Sequence, residues 1–90
     1  MSTVRIPPTL RAQTSGEKLV VVDGATVREV VGGLVERYPS LSGQVLDGSG
    51  GLNRFVNVFL NDTDVRHLDG LETPVRDTDS VVLLPAMAGG

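Results

Sequence analysis

The sequence ends in Leu84-Pro85-Ala86-Met87-Ala88-Gly89-Gly90, where an apolar run stops at a proline and small residues follow. Neither glycine carries a Cβ, so this end can enter a narrow channel in another protein and present its carboxylate without steric shielding. A carboxylate is a poor electrophile until a good leaving group is attached, after which it accepts nucleophiles readily. The bland alternative is a frayed chain end that happens to carry glycine, or a processing event that happened to stop there.

Other residues offer less chemistry. His67 has no second histidine or cysteine near it, and a metal site needs several converging ligands, so it reads as a solvated surface residue. The pairs Asp62/Asp64 and Asp77/Asp79 lack the glycine and distal glutamate of a calcium loop and read as hairpin turns. Ser40, Ser42 and Ser49 have no local nucleophile signature, and Gly48, Gly50 and Gly51 lack the Gly-Lys-Ser/Thr ending of a phosphate loop. There is no cysteine, hence no disulfide, thiolate zinc site or catalytic thiol. These residues supply no convincing enzyme, and no bound metal is expected.

Eight basic residues against eleven acidic ones give a net charge of -3, the wrong sign for gripping a phosphate backbone, so nucleic acid is not an expected partner. Residues Met1 to Arg11 hold no apolar run long enough for a signal peptide or a membrane span. The expected location is therefore cytoplasmic, which also suits a chain without cysteine. Ninety residues suffice for one hydrophobic core and no second domain.

The elements that must carry the tail follow from periodicity. Thr3 to Pro7 predicts a strand ended by Pro7-Pro8; Gln13 to Gly16 predicts a turn, and Glu17 to Val22 a second strand completing a hairpin. Thr26 and Glu29 form a capping box, after which Val27, Val30, Val31, Leu34, Val35 and Tyr38 recur at helical spacing up to Pro39. Gly32 and Gly33 inside that helix mark either close packing on the sheet or a tolerated weakness. Ser40 to Asn53 reads as a surface connection with a short helical turn near Leu41 to Leu46. Phe55 to Leu60 predicts a strand with Val56, Val58 and Leu60 toward the core, Thr63 to Arg66 a short strand, and Ser80 to Pro85 the last. One helix covering one face of such a sheet is an α+β arrangement, and the element order suits a β-grasp roll. The expected division is 1–85 for the domain and 86–90 for a flexible C-terminal tail.

With these residues in place, the chain resembles the ubiquitin-like sulfur carrier proteins of the ThiS and MoaD groups, and most of all the actinobacterial CysO-type carriers. The similarity is strongest from Arg54 to Gly90. Arg54-Phe55-Val56-Asn57-Val58-Phe59-Leu60-Asn61-Asp62-Thr63-Asp64-Val65-Arg66 looks like the family's central hairpin, Leu68 to Thr73 like its following turn, and Pro85 to Gly90 like its diglycine tail. Upstream the match rests on Ile6-Pro7, the helix and Tyr38. Met87 replaces a smaller aliphatic residue, and Asp77-Thr78-Asp79 replaces a turn that often has a central glycine.

The resemblance implies a β-grasp, ubiquitin-like roll with a mixed sheet and one main helix packed on it. It also implies that an E1-like adenylating and sulfur-transferring enzyme spends ATP to adenylate the Gly90 carboxylate. A sulfur donor then displaces AMP and leaves a thiocarboxylate, with Gly89, Ala88, Met87 and Ala86 entering the partner's active site. The carrier itself binds no cofactor. The CysO-type likeness points to cysteine biosynthesis, with a pyridoxal-phosphate (PLP) dependent cysteine synthase as acceptor and a metalloprotease releasing the product. Alternatives are sulfur donation to thio-sugar or other specialised-metabolite enzymes, a molybdopterin-synthase small subunit, a ubiquitin-like protein modifier, and a non-covalent interaction module. For docking, Phe55 and Phe59 on the sheet face opposite the helix would form an apolar surface with Arg54, Arg66 and Arg76 around it. Alternatively, one or both aromatics pack into the core.

Overall fold

A computed structural model describes residues 2–48 and 51–85. In chain order the elements are β1 (Ser2–Arg5), β2 (Leu19–Val22), α1 (Val27–Arg37), α2 (Ser42–Val45), β3 (Val56–Leu60), β4 (Thr63–Asp64) and β5 (Ser80–Pro85). The strands form one sheet in the order β2-β1-β5-β3-β4. β1 and β2 pair antiparallel, β5 lies parallel to β1 and antiparallel to β3, and β3 turns back into β4. This is the mixed sheet of a β-grasp roll.

Alternation along the strands decides which face is buried. Val4, Ile6, Val20, Val22, Val56, Val58, Val81 and Leu83 turn inward and meet Val27, Val30, Val31 and Leu34 of α1. Burying each such side chain contributes roughly 1.5–3 kcal/mol. The helix starts where its cap residues require: the Glu29 N–H donates to Thr26 Oγ1 at 3.3 Å, and Glu29 Oε1 accepts the Ala25 N–H at 3.0 Å. The carboxylate thus reaches one residue further back than in the reciprocal box. Pro39 ends the helix and opens a 3-10 turn, Pro39–Leu41. No helix among the described residues is long and apolar enough to cross a membrane.

Several elements differ from the sequence expectation. Pro7-Pro8 does end β1, yet Pro8–Thr14 then forms a 3-10 helix that buries Leu10 and Thr14, so the β1–β2 connection is more than a turn. The connection after α1 is anchored by Leu41 and Val45, both fully buried. β4 stops at Asp64 because the Asp64 carboxylate accepts the Arg66 N–H at 2.8 Å and starts a 3-10 turn, Val65–His67. Asp77 to Asp79 leads into β5 and is not a hairpin turn, since β5 pairs with β1 and β3 rather than β4.

The two helical glycines separate cleanly. A Cβ at Gly33 would lie 2.8 Å from Val22 Cγ1, a branched side chain with little freedom to yield, whereas one at Gly32 would meet nothing within 4 Å. Gly32→Ala is therefore expected to stabilise the fold by about 0.5–1 kcal/mol. Gly33→Ala should destabilise it, overpacking costing about 1–3 kcal/mol against the same helix gain. Urea midpoints moving in the same direction for both variants would refute the close approach.

Candidate functional site

β5 is the sheet's middle strand, so both of its edges are hydrogen-bonded, and its end is clamped where Val56 pairs with Pro85. Whatever follows Pro85 leaves from a fixed point. Ala86, Met87, Ala88, Gly89 and Gly90 lie outside the described residues, and the site is defined here by its root.

The root is built by the turn that feeds β3. Asn53 holds it: its side-chain oxygen accepts the Phe55 N–H at 2.8 Å, its amide nitrogen donates to the Gly43 carbonyl at 3.1 Å, and its N–H donates to the Val45 carbonyl at 2.8 Å. Arg66 braces the other side. Its guanidinium donates to the carbonyls of Asn53 and Val56, each at 3.1 Å, and to Asn57 Oδ1 at 3.0 Å. Charge-assisted bonds to carbonyls fix the start of β3, and through it the partner position of Pro85. Nothing in the residue types alone singled out Asn53; a polar residue just before a β-branched run was the available signal.

Phe55 stands in that turn rather than in the strand, 53% exposed, with the Arg54 guanidinium 5.0 Å from its ring centroid. With Thr9, Leu10, Gln44, Asn53, Val56 and Pro85 it lines an open cleft of 340 Å³ directly beside the strand's end. Phe59 is elsewhere: half-buried on the sheet face opposite α1, in a transverse row with Leu19, Arg5, Val82 and Asp64. The structure thus brings Arg54, Phe55 and Arg66 together at the exit, and sets Phe59 mid-sheet. Arg76 is not with them. It precedes β5, at the opposite end of a strand about 20 Å long at ~3.3 Å per residue.

At that far end Asp79 is buried, and its carboxylate accepts the Arg76 N–H at 2.9 Å and the Asn61 amide at 3.1 Å. The backbone hydrogen bond from Arg76, aided by Asn61, holds its pKa below the usual aspartate value. A lowered folded pKa means that the ionised form favours the fold: the contribution is complete above the unfolded value and fades as pH falls through the folded one. Asp79→Asn should therefore be less stable than the parent at pH well above the ordinary aspartate range, the gap narrowing as pH falls below that range. Urea midpoints at neutral and at strongly acidic pH test this, and a gap independent of pH would contradict it.

His67 is exposed, as are Ser40 and Ser42, while Ser49 and Gly50 lie outside the described residues. Among the described residues no group of three or more His, Cys, Asp or Glu side chains is arranged to hold a metal.

A family model described as the ThiS family matches residues 4–90. Sulfur carrier protein CysO of Mycobacterium tuberculosis H37Rv is 47% identical over 90 residues, covering 98% of this chain and 97% of that protein. A chain in the crystal structure of the Amycolatopsis orientalis BexX/CysO complex superposes with a TM-score of 0.91 at 43% identity, covering 100% of both chains. The solution structure of small archaeal modifier protein 1 from Methanosarcina acetivorans gives 0.87 at 28% identity, covering 99% of this chain and 95% of that one.

Proposed function

The chain belongs to the ThiS family, and from that premise we propose that it is a sulfur carrier whose reactive group is the Gly90 carboxylate. The carboxylate attacks the α-phosphate of ATP on an E1-like partner, releasing pyrophosphate and forming an acyl-adenylate. A sulfur nucleophile then adds to that carbonyl and expels AMP, leaving a thiocarboxylate at the chain end. Its polarizable sulfur attacks an electrophile held by the acceptor enzyme, so this chain acts as a reagent and supplies no catalytic side chain.

The observation that carries this reading is the position of the tail. A diglycine follows the central strand of the sheet after Pro85, whose partner Val56 is itself braced by Arg66. A rigid root with a short extension suits delivery of one end group into another protein's active site. Likeness to a mycobacterial CysO supports cysteine biosynthesis as the pathway, with a PLP-dependent cysteine synthase as acceptor and a metalloprotease releasing the product. The BexX/CysO complex, in which a similar chain is assembled with BexX, supports reading this chain as one that docks on a partner protein. Phe55 with Arg54 and Arg66 at the exit, and Phe59 on the open sheet face, are the docking residues of this proposal. The expected compartment is the cytoplasm.

The absence of cysteine gives a direct test. Purified chain is incubated with an adenylating enzyme, ATP and a sulfide source, then alkylated, and the label is mapped by mass. Label on Gly90 that requires ATP supports carriage; an unlabelled chain beside a labelled reference carrier refutes it. Isopeptide adducts on lysines of other proteins would favour the modifier reading instead.

A further inference from the structure

The net charge of -3 is not spread evenly, and its distribution follows the axis of β5. At the exit end, Arg54 stacks on Phe55 and Arg66 grips the carbonyls of Asn53 and Val56. Arg11 donates to the Ile6 carbonyl and the Ile6 N–H donates to the Lys18 carbonyl. Arg5 pairs with Val82 in the parallel β1–β5 ladder, which puts Ile6 one step further along, at the level of Leu83. These cations therefore gather around the end where the tail departs. Their acidic neighbours are Glu17, beside Lys18, Asp64, whose carboxylate accepts the Arg66 N–H, and Asp47, whose carboxylate accepts the Gly51 N–H.

The opposite end has the other sign. Asp23, Glu29 and Asp77 line one open cleft with Gly24, Ala25 and Val75. Asp62 sits in the β3–β4 turn at the same end, and Asp79 is buried close by with Arg76 as its basic neighbour.

We propose that this polarity orients the chain on its partner: the basic exit pole seats on a carboxylate-rimmed entrance, and the acidic pole is turned away. The inference rests on the carrier reading for the tail and adds the chemistry of the surface that receives it. Tail length supplies the reason. Five residues follow Pro85, and at most about 3.4 Å each they span about 17 Å, so the reacting end reaches a buried centre only if this pole lies against the partner. Within a Debye length of about 8 Å its cations are felt at physiological salt, and a paired acidic rim raises productive encounters. A chain of net negative charge would otherwise be repelled by an acidic partner. Separating the signs along β5 turns that repulsion into selection for tail-first approach.

The test uses the full chain with the adenylating enzyme at low and at about 0.5 M NaCl, where screening shortens to a few ångströms. Lys18 and Arg54 are exposed, and the double variant Lys18→Glu/Arg54→Glu should lose about tenfold in kcat/KM at low salt, mainly through KM. The deficit should close at high salt, whereas Asp62→Lys at the far pole should stay within about twofold of the parent. Equal losses at both poles, or a loss that persists at high salt, would overturn the proposal. A parent chain that acquires no alkylatable sulfur would defeat the carrier reading itself, and the surface is then judged without an enzyme. In that arm a polyglutamate peptide is titrated into the isotope-labelled chain. Amide shifts grouped at Arg11, Lys18, Arg54 and Arg66 and abolished by salt support the polarity; absent or scattered shifts overturn it.

Discussion

Deleting Gly89 and Gly90 is expected to lower ATP-dependent sulfur labelling by at least about 100-fold, because a catalytic geometry displaced by even 1 Å forfeits that much. The deletion withdraws the carboxylate by about 7 Å and moves it onto Ala88, whose Cβ the glycines avoid. The urea midpoint should not move, since the described pairing of β5 runs from Ser80 to Pro85, short of both glycines. That combination separates a delivery role from a structural one. Gly90→Ala keeps the length and adds only the Cβ, so an intermediate loss is expected if the channel is narrow. A truncated chain labelled as well as the parent would place the reactive group elsewhere and remove the basis of the carrier proposal.

The largest effect on stability is expected at Leu41. It lies in the connection between α1 and β3, yet it is fully buried in the core shared with Leu34 and Val45. Leu41→Ala removes apolar contacts and leaves a cavity, a change that costs about 2–5 kcal/mol. A domain of this size has ~5–15 kcal/mol of stability in total, so the variant should unfold at a much lower urea concentration or fail to fold at ambient temperature. Leu84→Ala is the control: Leu84 is 42% exposed on the open sheet face, and a surface substitution of this kind changes stability by about 0.5 kcal/mol. Similar midpoints for the two variants would mean that the connection is not part of the core.

The contrast between Leu41 and Val31 shows what the sequence reveals. Val31 belongs to a stripe that repeats over three turns behind a capping box, and the structure has that helix from Val27 to Arg37. β5 is equally legible: the apolar run Val81 to Leu84 between Asp79 and Pro85 predicts the bounds observed, Ser80–Pro85. Leu41 and Val45 belong to elements too short to show a period, so glycine and serine nearby made the segment read as surface. Pro8 misleads in another way. As a strand breaker it is read as a stop, but its fixed φ also suits the first turn of a helix, which is how Pro8–Thr14 uses it. Asp79 illustrates the limit for polar residues, because only the fold brings the Asn61 amide to a carboxylate that local sequence assigns to a solvated turn. At the site, the diglycine was visible from the start, whereas the Asn53 and Arg66 network beneath it depends on contacts between β3, α2 and the turn after β4.

The strand order has a consequence for synthesis. β5 is made last, yet it alone joins the β2-β1 half of the sheet to the β3-β4 half. While a ribosome still holds β5, only two separate hairpins and a helix are available to fold, and the long-range β1–β5 and β3–β5 ladders must wait until β5 emerges. The two halves of the sheet therefore join in one late step, and the same step fixes Pro85 beside Val56.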